Sequence, residues 1–240
     1  MTDLPALRAA IAGLIGFAAG QEQVLLAAAP RGEQGDPSCW AALPLVAHNT
    51  EFRRQQVQRL RAVRTGQAPP EFAEVDHGSP DLYAELSAQP ADAVGRDSWR
   101  VSGELIEELA LVSEADLLEP ARNPWLRGRQ LWLQLIVRGF WHPAGHLGGY
   151  YLSHGEAARA VTLAEQAVQA AAVLGAPDPA RGMASYNLAC AQAGAGLLGE
   201  AAATVAEAVA LNPDVRANAG RDSDLAAVRE RGLLTALLGS

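Results

Sequence analysis

Apolar residues recur at spacings of three and four through most of the chain, a pattern typical of amphipathic α-helices. Residues 4–29 carry the first such run, and Pro30 closes it. The second run covers residues 39–65, with Ser38 in the position of an N-cap. Pro44 either interrupts the hydrogen-bond ladder of this second run or marks its true start. The pattern therefore predicts two long helices, one on each side of a Gly/Pro/Asp loop.

Two more long helices are predicted further along the chain, at residues 97–114 and from residue 126 or 129 to residue 154. The connection before them, residues 70–95, has little periodicity and predicts one short helix near residues 82–87. Connections of this length are uncommon unless they have a function such as covering a site. Four long helices with a long crossover between the second and the third predict a four-helix up-down bundle.

Beyond Gly155 the chain becomes rich in alanine and predicts three shorter helices, at residues 156–174, 179–195 and 198–211. This region resembles tetratricopeptide repeats, in which small residues let paired helices approach closely. The small residues at matching positions are Ala189, Ala201 and Ala208, with Gly196 at the turn between the helices. A degenerate first unit matches at Gly148, Tyr151, Gly155, Ala160 and Ala167.

These patterns together predict an all-α chain of two domains. Residues 1–155 would form the bundle, and residues 156–240 would form tetratricopeptide-like helical hairpins that pack on it. A capping helix is expected near residues 222–229. Two repeat units cannot bury their own apolar faces, which is why we expect them to lean on the bundle.

Charge narrows the classes of partner. The net charge is −8 and the sequence pI is near 5.1. Nucleic acid is therefore not expected as a partner, because a phosphate backbone requires a basic stripe. The one locally basic segment, residues 52–64, is interpreted as a solvated helix face whose arginine stems lie along the surface.

The compartment follows from the cysteines and from the first apolar run. Cys39 and Cys190 share no motif spacing, which favours a reducing cytoplasm. Both are interpreted as structural, packed thiols; the alternative for Cys39 is a thiol whose pKa is lowered by the helix N-terminus that follows it. The apolar run at residues 9–19 is too short to span a bilayer, and the residues before it lack the positive excess of a signal peptide. We therefore expect a soluble, cytoplasmic protein with no membrane partner. Exposed alanine-rich faces are compatible with a homodimer.

Three histidines form a constellation with an identifiable chemistry. His142 and His146 are spaced i, i+4, so a continuous helix projects both imidazoles from one face. His48 lies on the second predicted helix, and facing helices of a bundle are where core metal sites are assembled. Three neutral imidazoles and an open position would hold a divalent ion. Ordinary core or surface histidines are the alternative, and Pro143 decides the geometry because it either kinks the helix or starts a new one.

The first 155 residues resemble the DinB/YfiT-like superfamily of metalloproteins. The resemblance is carried by Trp40, by Ala47-His48-Asn49-Thr50-Glu51-Phe52, by the arginine-rich helix that reaches Pro69-Pro70-Glu71-Phe72, and by His142-x-x-x-His146. It implies a four-helix bundle with His48, His142 and His146 as ligands of a divalent metal such as Zn, Ni or Fe. The commoner family ending has His-His-Gly-Gln where this chain has Leu147-Gly148, so the resemblance implies a metal site and not a particular activity.

Glu51 and Tyr150 are candidates for orienting the metal-binding imidazoles. Glu51 lies one turn after His48, and Tyr150 lies one turn after His146. Metal-bound imidazoles usually donate their second N–H to a carboxylate or a comparable group. The alternatives are that Glu51 is a solvent-facing partner of Arg54 and that Tyr150 is a packing residue.

Two functions of different class stay open. The superfamily is linked to transfer of low-molecular-weight thiols and to detoxification, so the resemblance implies a metal-dependent transferase or hydrolase acting on a small thiol or electrophile. The other hypothesis is a non-catalytic module whose repeats bind a protein or peptide and whose histidines are structural or vestigial. A serine nucleophile is not supported, since the chain has no Gly-x-Ser-x-Gly elbow. Metal content separates the two hypotheses first.

Overall fold

The structure is a computed structural model that describes residues 3–30, 32–37, 39–73 and 79–239. Throughout these ranges the regular structure is helical and no strand occurs, which confirms the all-α prediction. The predicted N-cap Ser38 and residues 74–78 of the predicted crossover lie outside the described residues.

By its contacts the chain divides into an N-terminal unit, Met1–Pro143, and a C-terminal unit, Ala144–Ser240. The elements of the N-terminal unit are α1 (Leu4–Ala28), α2 (Ala42–Arg64), α3 (Pro80–Ser87), α4 (Ala91–Leu111), α5 (Glu114–Leu118), two 3-10 turns (Pro120–Arg122 and Pro124–Leu126), α6 (Leu131–Ile136) and a π-helical turn (Val137–Trp141). The division falls inside the next helix, α7 (His142–Ser153). The C-terminal unit continues with α8 (Ala157–Val173), α9 (Asp178–Gly194), α10 (Leu198–Leu211), α11 (Val215–Ala219), a 3-10 turn (Ser223–Leu225), α12 (Ala226–Glu230) and α13 (Thr235–Leu238). The predicted domain boundary after residue 155 stays a prediction.

Three helices differ from the predicted ones, and proline explains the first two differences. α2 begins at Ala42, later than predicted, and Pro44 falls in its first turn, where a missing N–H costs no hydrogen bond. α4 begins at Ala91, earlier than predicted, directly after Pro90, whose backbone is extended. The fourth predicted helix is not one α-helix, because the π-helical turn separates α6 from α7.

The core of the N-terminal unit lies where α4 and the π-helical turn each pack against both α1 and α2. Its fully buried apolar side chains include Ile11, Ile15, Leu60, Leu105, Leu135 and Phe140. Ile11 and Ile15 are spaced i, i+4 on α1, as the apolar pattern predicts for a helix with one buried face. The four-helix bundle itself stays a prediction.

A buried ion pair crosses this core. Arg53 of α2 and Glu22 of α1 are both 0% exposed, and the two terminal nitrogens of Arg53 donate to the two carboxylate oxygens of Glu22 at 2.7 and 2.9 Å. Ser98 Oγ and Asn49 Nδ2 also donate to Glu22, at 2.7 and 3.0 Å. These hydrogen bonds compensate the desolvation of both charges, which is the condition for burying an ion pair.

The interpretation of the basic segment at residues 52–64 as a solvated face is therefore wrong for Arg53, which is fully buried. The exposed arginines of the segment pair with the acidic side of α4. Arg61 donates to Glu108 at 2.8 Å and to Glu104 at 3.0 Å, and Arg64 donates to Glu108 at 3.2 Å. The acidic partners lie far from these arginines in the sequence, so the spacing of charges within α2 did not reveal the pairs.

Helix α1 is longer than the apolar run at residues 9–19 suggested. It spans 25 residues and its best window has a mean hydropathy of 1.4, so by length and composition it could cross a membrane. The expectation that this run is too short to span a bilayer is wrong in that respect. Helices in the core of soluble proteins pass the same test, and one face of α1 packs on α4 and carries the ion-paired Glu22. Cytoplasmic location stays a prediction.

Short glycine turns join the helices of the C-terminal unit. At the end of α9, Gly196 takes a φ of 79°, a left-handed conformation that side chains other than glycine's disfavour. Its N–H donates to Ala193 O at 3.0 Å, and the N–H of Leu197 donates to Gln192 O at 2.9 Å. This pair of bonds is a Schellman motif, which ends α9 and reverses the chain into α10. Gly196 therefore occupies the predicted turn.

Helices α9 and α10 approach closely at small residues. Ala189, Ala201 and Ala208 are each 0% exposed. A Cβ added to Gly182 would lie 2.6 Å from Asn212 Cβ, so only glycine fits at that contact. The positions singled out for close packing are thus buried, and the tetratricopeptide arrangement stays a prediction.

Candidate metal centre

The π-helical turn brings the chain into α7. The N–H of His142 donates to Val137 O, five residues back, so the turn holds one more residue than an α-helical turn would. Pro143 follows and has no N–H to donate to Gly139 O, its acceptor in an α-helical ladder. Arg53 Nε donates to that carbonyl instead, at 3.4 Å. The helical path therefore continues through Pro143, and the buried arginine satisfies the backbone group that the proline leaves.

Gly139 lets the π-helical turn pack against α1, and a substitution tests this contact. An alanine Cβ at this position would lie 2.8 Å from Ile15 Cγ1, inside the fully buried core. We expect Gly139→Ala to lower the free energy of unfolding by about 1–3 kcal/mol, the usual cost of overpacking a core. Urea denaturation measures it.

Gly103→Ala is the matched control in the interior of α4, because an added Cβ there meets nothing within 4 Å. That change should be neutral or stabilise the protein by up to about 1 kcal/mol through helix propensity. Equal free energies of unfolding for the two variants would contradict the close contact at Gly139.

The three predicted histidines converge. His48, His142 and His146 each offer one ring nitrogen, and these atoms all lie within 4.8 Å of one another. The Nε2 atoms of His48 and His142 are 3.1 Å apart. Two nitrogens held about 2.0–2.1 Å from a tetrahedral ion are separated by roughly 3.3 Å, so the observed spacing fits such an ion. Helix α7 runs without a break through Pro143. The imidazoles of His142 and His146 therefore lie on successive turns of one helix.

Aromatic rings hold two of these imidazoles in place. The Phe52 ring stacks on the His142 ring with centroids 4.2 Å apart and planes inclined by 24°. It also contacts His48, with centroids 4.6 Å apart. The Trp40 ring meets His48 edge-on at 5.1 Å. His48 is 2% exposed, and His142 and His146 are half-buried.

The role of Phe52 in this packing was not predicted from the sequence. It lies one turn after His48 on α2, and an i, i+4 aromatic next to a candidate ligand is the signal that could have found it.

The two residues proposed to orient the imidazoles contact other side chains. Glu51 is exposed and accepts a hydrogen bond from Arg54 Nε at 3.0 Å, which is the alternative that the sequence left open. Tyr150 is buried and its ring stacks on the ring of His154 with centroids 3.9 Å apart. His154 lies in the turn after α7 and is exposed. A role for Glu51 or Tyr150 toward the imidazoles stays a prediction.

The two cysteines differ from each other. Cys39 is exposed, so its interpretation as a packed thiol is wrong; it lies in the loop before α2, paired through its backbone with Asp36. Cys190 does pack against the apolar core of the C-terminal unit. Burial, with the nearby carboxylates of Asp222 and Asp224, raises the pKa of the Cys190 thiol. These three residues also offer ligand atoms within 4.8 Å of one another, and the Tyr186 hydroxyl donates to Asp222 at 2.7 Å.

Comparisons with models of protein families, with curated proteins and with solved structures returned no match for this chain. The resemblance to the DinB/YfiT-like superfamily therefore stays a prediction, and the function is argued from the histidine site.

Proposed function

We propose that this protein is a divalent-metal-dependent transferase or hydrolase of the DinB-like class that acts on a small thiol or electrophile. The observation that carries the proposal is the convergence of His48, His142 and His146. Their donors suit Zn, Ni or Fe, since imidazole nitrogen is a ligand that all three metals accept. Three protein ligands are the number found in catalytic zinc sites, in which a further position is left for water or substrate.

A bound divalent ion would supply Lewis-acid polarisation of a substrate and activation of a thiol or water nucleophile. The chain's own residues orient the imidazoles. Trp40 and Phe52 fix the ring orientations of His48 and His142, so little imidazole freedom is lost when an ion is bound. Arg53 holds the carbonyl of Gly139 and through it the turn that precedes His142. The turn that leads into His142 is thereby held by a side chain of α2.

Turnover assays test the proposal. Protein loaded with Zn, Ni or Fe(II) is assayed for transfer of a low-molecular-weight thiol to an electrophile and for hydrolysis of an activated ester. We expect turnover in the metal-loaded protein, at least about 100-fold lower turnover in His48→Ala, and loss of turnover in protein stripped by a chelator. His154→Ala is the matched control, because His154 is exposed and lies outside the triad. Turnover that survives both chelation and His48→Ala would exclude a metal-dependent reaction at this site.

The rival function is a non-catalytic interaction module. It is supported by large apolar side chains that stand exposed on the C-terminal unit, namely Val173, Met183, Leu197 and Leu233. Exposed apolar groups of this kind can mark a surface that binds a peptide or a protein. Metal-free protein without turnover in either assay would favour this second function.

A further inference from the structure

Two half-buried arginines lie on the two segments of the N-terminal unit that carry His48 and His142. Arg59 lies 11 residues after His48 on α2, about three turns along the helix, and Phe52 lies between them, four residues after His48. The three positions fall within about 40° of one another around the helix axis. Arg138 lies in the π-helical turn, one turn before His142. The same two helical segments that present the imidazoles therefore also present two guanidinium groups.

Neither guanidinium has a carboxylate partner among the residues that the structure describes. Burial and the neighbouring Arg138 lower the pKa of Arg59. Burial and the nearby Arg129 lower the pKa of Arg138. Each arginine also has a buried Nε that makes no hydrogen bond within the described chain. In a protein with a net charge of −8, this uncompensated positive charge is unusual.

The other arginines of α2 show how readily such charges are paired in this protein. Arg53 pairs with Glu22, Arg61 pairs with Glu104 and Glu108, and Arg64 pairs with Glu108. Arg59 lies between Arg53 and Arg61 in the sequence but makes no such pair in the described chain. Among the residues that the structure describes, no carboxylate therefore neutralises its positive charge.

Aromatic rings support both guanidinium groups from their faces. The Arg59 guanidinium carbon lies 4.8 Å from the centroid of the Phe72 ring and 5.3 Å from that of the Trp125 ring. The Arg138 guanidinium carbon lies 4.9 Å from the centroid of the Phe52 ring. Stacking uses the faces of a guanidinium and leaves its in-plane N–H donors for a planar or tetrahedral oxyanion.

One ring connects the arginines to the proposed metal site. The Phe52 ring contacts the Arg138 guanidinium and stacks on the His142 ring, with ring centroids 4.2 Å apart. A small molecule that reaches the imidazoles is thus one ring away from a positive charge.

We propose that Arg59 and Arg138, with Arg129 nearby, bind a carboxylate or phosphate group of a small anionic ligand. The contacts of the arginines support the anion site without reference to a metal. The further claim that the site binds part of the substrate rests on the proposed metal-dependent function. The substrates would then be small thiols or electrophiles that carry an acidic group.

Calorimetric titration of the metal-free protein with inorganic phosphate and, separately, with acetate tests the anion site at low ionic strength, where screening is weak. We expect saturable binding of at least one probe with a dissociation constant on the order of 1 mM. The preferred probe shows whether the site favours phosphate or carboxylate. Arg59→Gln and Arg138→Gln should each weaken that binding at least about tenfold, a loss comparable to one charge-assisted hydrogen bond.

Arg96→Gln is the matched control, since Arg96 is exposed and pairs with Asp92 on the far side of α4 from the core. It should leave anion binding unchanged. The two glutamine variants should also melt at or above the wild-type temperature in chloride, because each removes a half-buried charge that has no carboxylate partner among the described residues. Binding that does not saturate, or that is equal in wild type and both glutamine variants, would overturn the anion site.

Two further variants keep this result separate from the metal site. His48→Ala should retain anion binding, and Arg138→Gln should retain metal binding. A wild-type protein that binds the anion but no metal would therefore contradict the proposed function and would still support the anion site. For the substrate assignment, electrophiles with a carboxylate should have a KM at least about tenfold lower than uncharged analogues in wild type, and this preference should vanish in Arg138→Gln. Equal KM values for both kinds of electrophile in wild type would overturn the assignment.

Discussion

Glu22→Gln is expected to lower the free energy of unfolding by about 3–5 kcal/mol, because it leaves the Arg53 guanidinium buried without its counter-charge. Both side chains are 0% exposed, so water cannot take the place of the lost carboxylate. Glutamine keeps the shape of glutamate, and the loss therefore reports on charge rather than on packing. Urea denaturation followed by circular dichroism measures the change.

Two variants bracket this result. Asp92→Asn removes one partner of the Asp92–Arg96 pair, in which both side chains are more than two-thirds exposed, and should leave the urea midpoint unchanged. The double change Glu22→Leu with Arg53→Met removes both buried charges and should recover much of the loss, as replacement of buried ion pairs by apolar residues often does. A free energy of unfolding for Glu22→Gln within about 1 kcal/mol of wild type would mean that the pair is not buried as described.

His48→Ala is expected to weaken binding of Zn(II) at least about 100-fold, since loss of a mere hydrogen-bond partner of a ligand already costs 10–100-fold. His48 is the one ligand from α2, so its removal leaves only the i, i+4 pair of α7. Competition with a chromogenic chelator measures the affinity. At a free zinc concentration 100 times the dissociation constant, binding should stabilise wild type by about 2.7 kcal/mol, and this gain should be lost in the variant.

His154→Ala serves as control for this affinity as well, because it removes an exposed imidazole outside the triad and should leave zinc binding within about twofold of wild type. His146→Ala should weaken binding as His48→Ala does. Equal zinc affinity in wild type and His48→Ala would show that these three residues do not share an ion.

Local signals in the sequence predicted the helices and the pairing of two of the three imidazoles. Apolar spacing located α1, α2 and α8 to α10, because those helices bury one face along their whole length. The i, i+4 spacing placed two imidazoles together on α7 without knowledge of any neighbour. The third imidazole, His48, required the assumption that α2 faces α7, which came from the predicted bundle and from the resemblance to the DinB/YfiT-like superfamily.

The features that the sequence did not predict depend on partners distant in the chain. Arg53 was interpreted as solvated because its partner, Glu22, lies on α1 and the pairing exists only after folding. The π-helical turn was not expected because helix propensity does not show where one extra residue enters a helix. Pro143 hinted at a disturbance there, but its outcome depended on Gly139 and Arg53.

The coordination of the ion gives the sharpest test of the site. X-ray absorption at the metal edge of zinc-loaded wild type should show three imidazole nitrogens at about 2.0–2.1 Å, with the outer-shell scattering typical of imidazole rings. In His48→Ala, any zinc that remains bound should show two imidazoles at most. A metal shell of oxygen ligands with no imidazole scattering in the wild-type protein would contradict a site built from His48, His142 and His146.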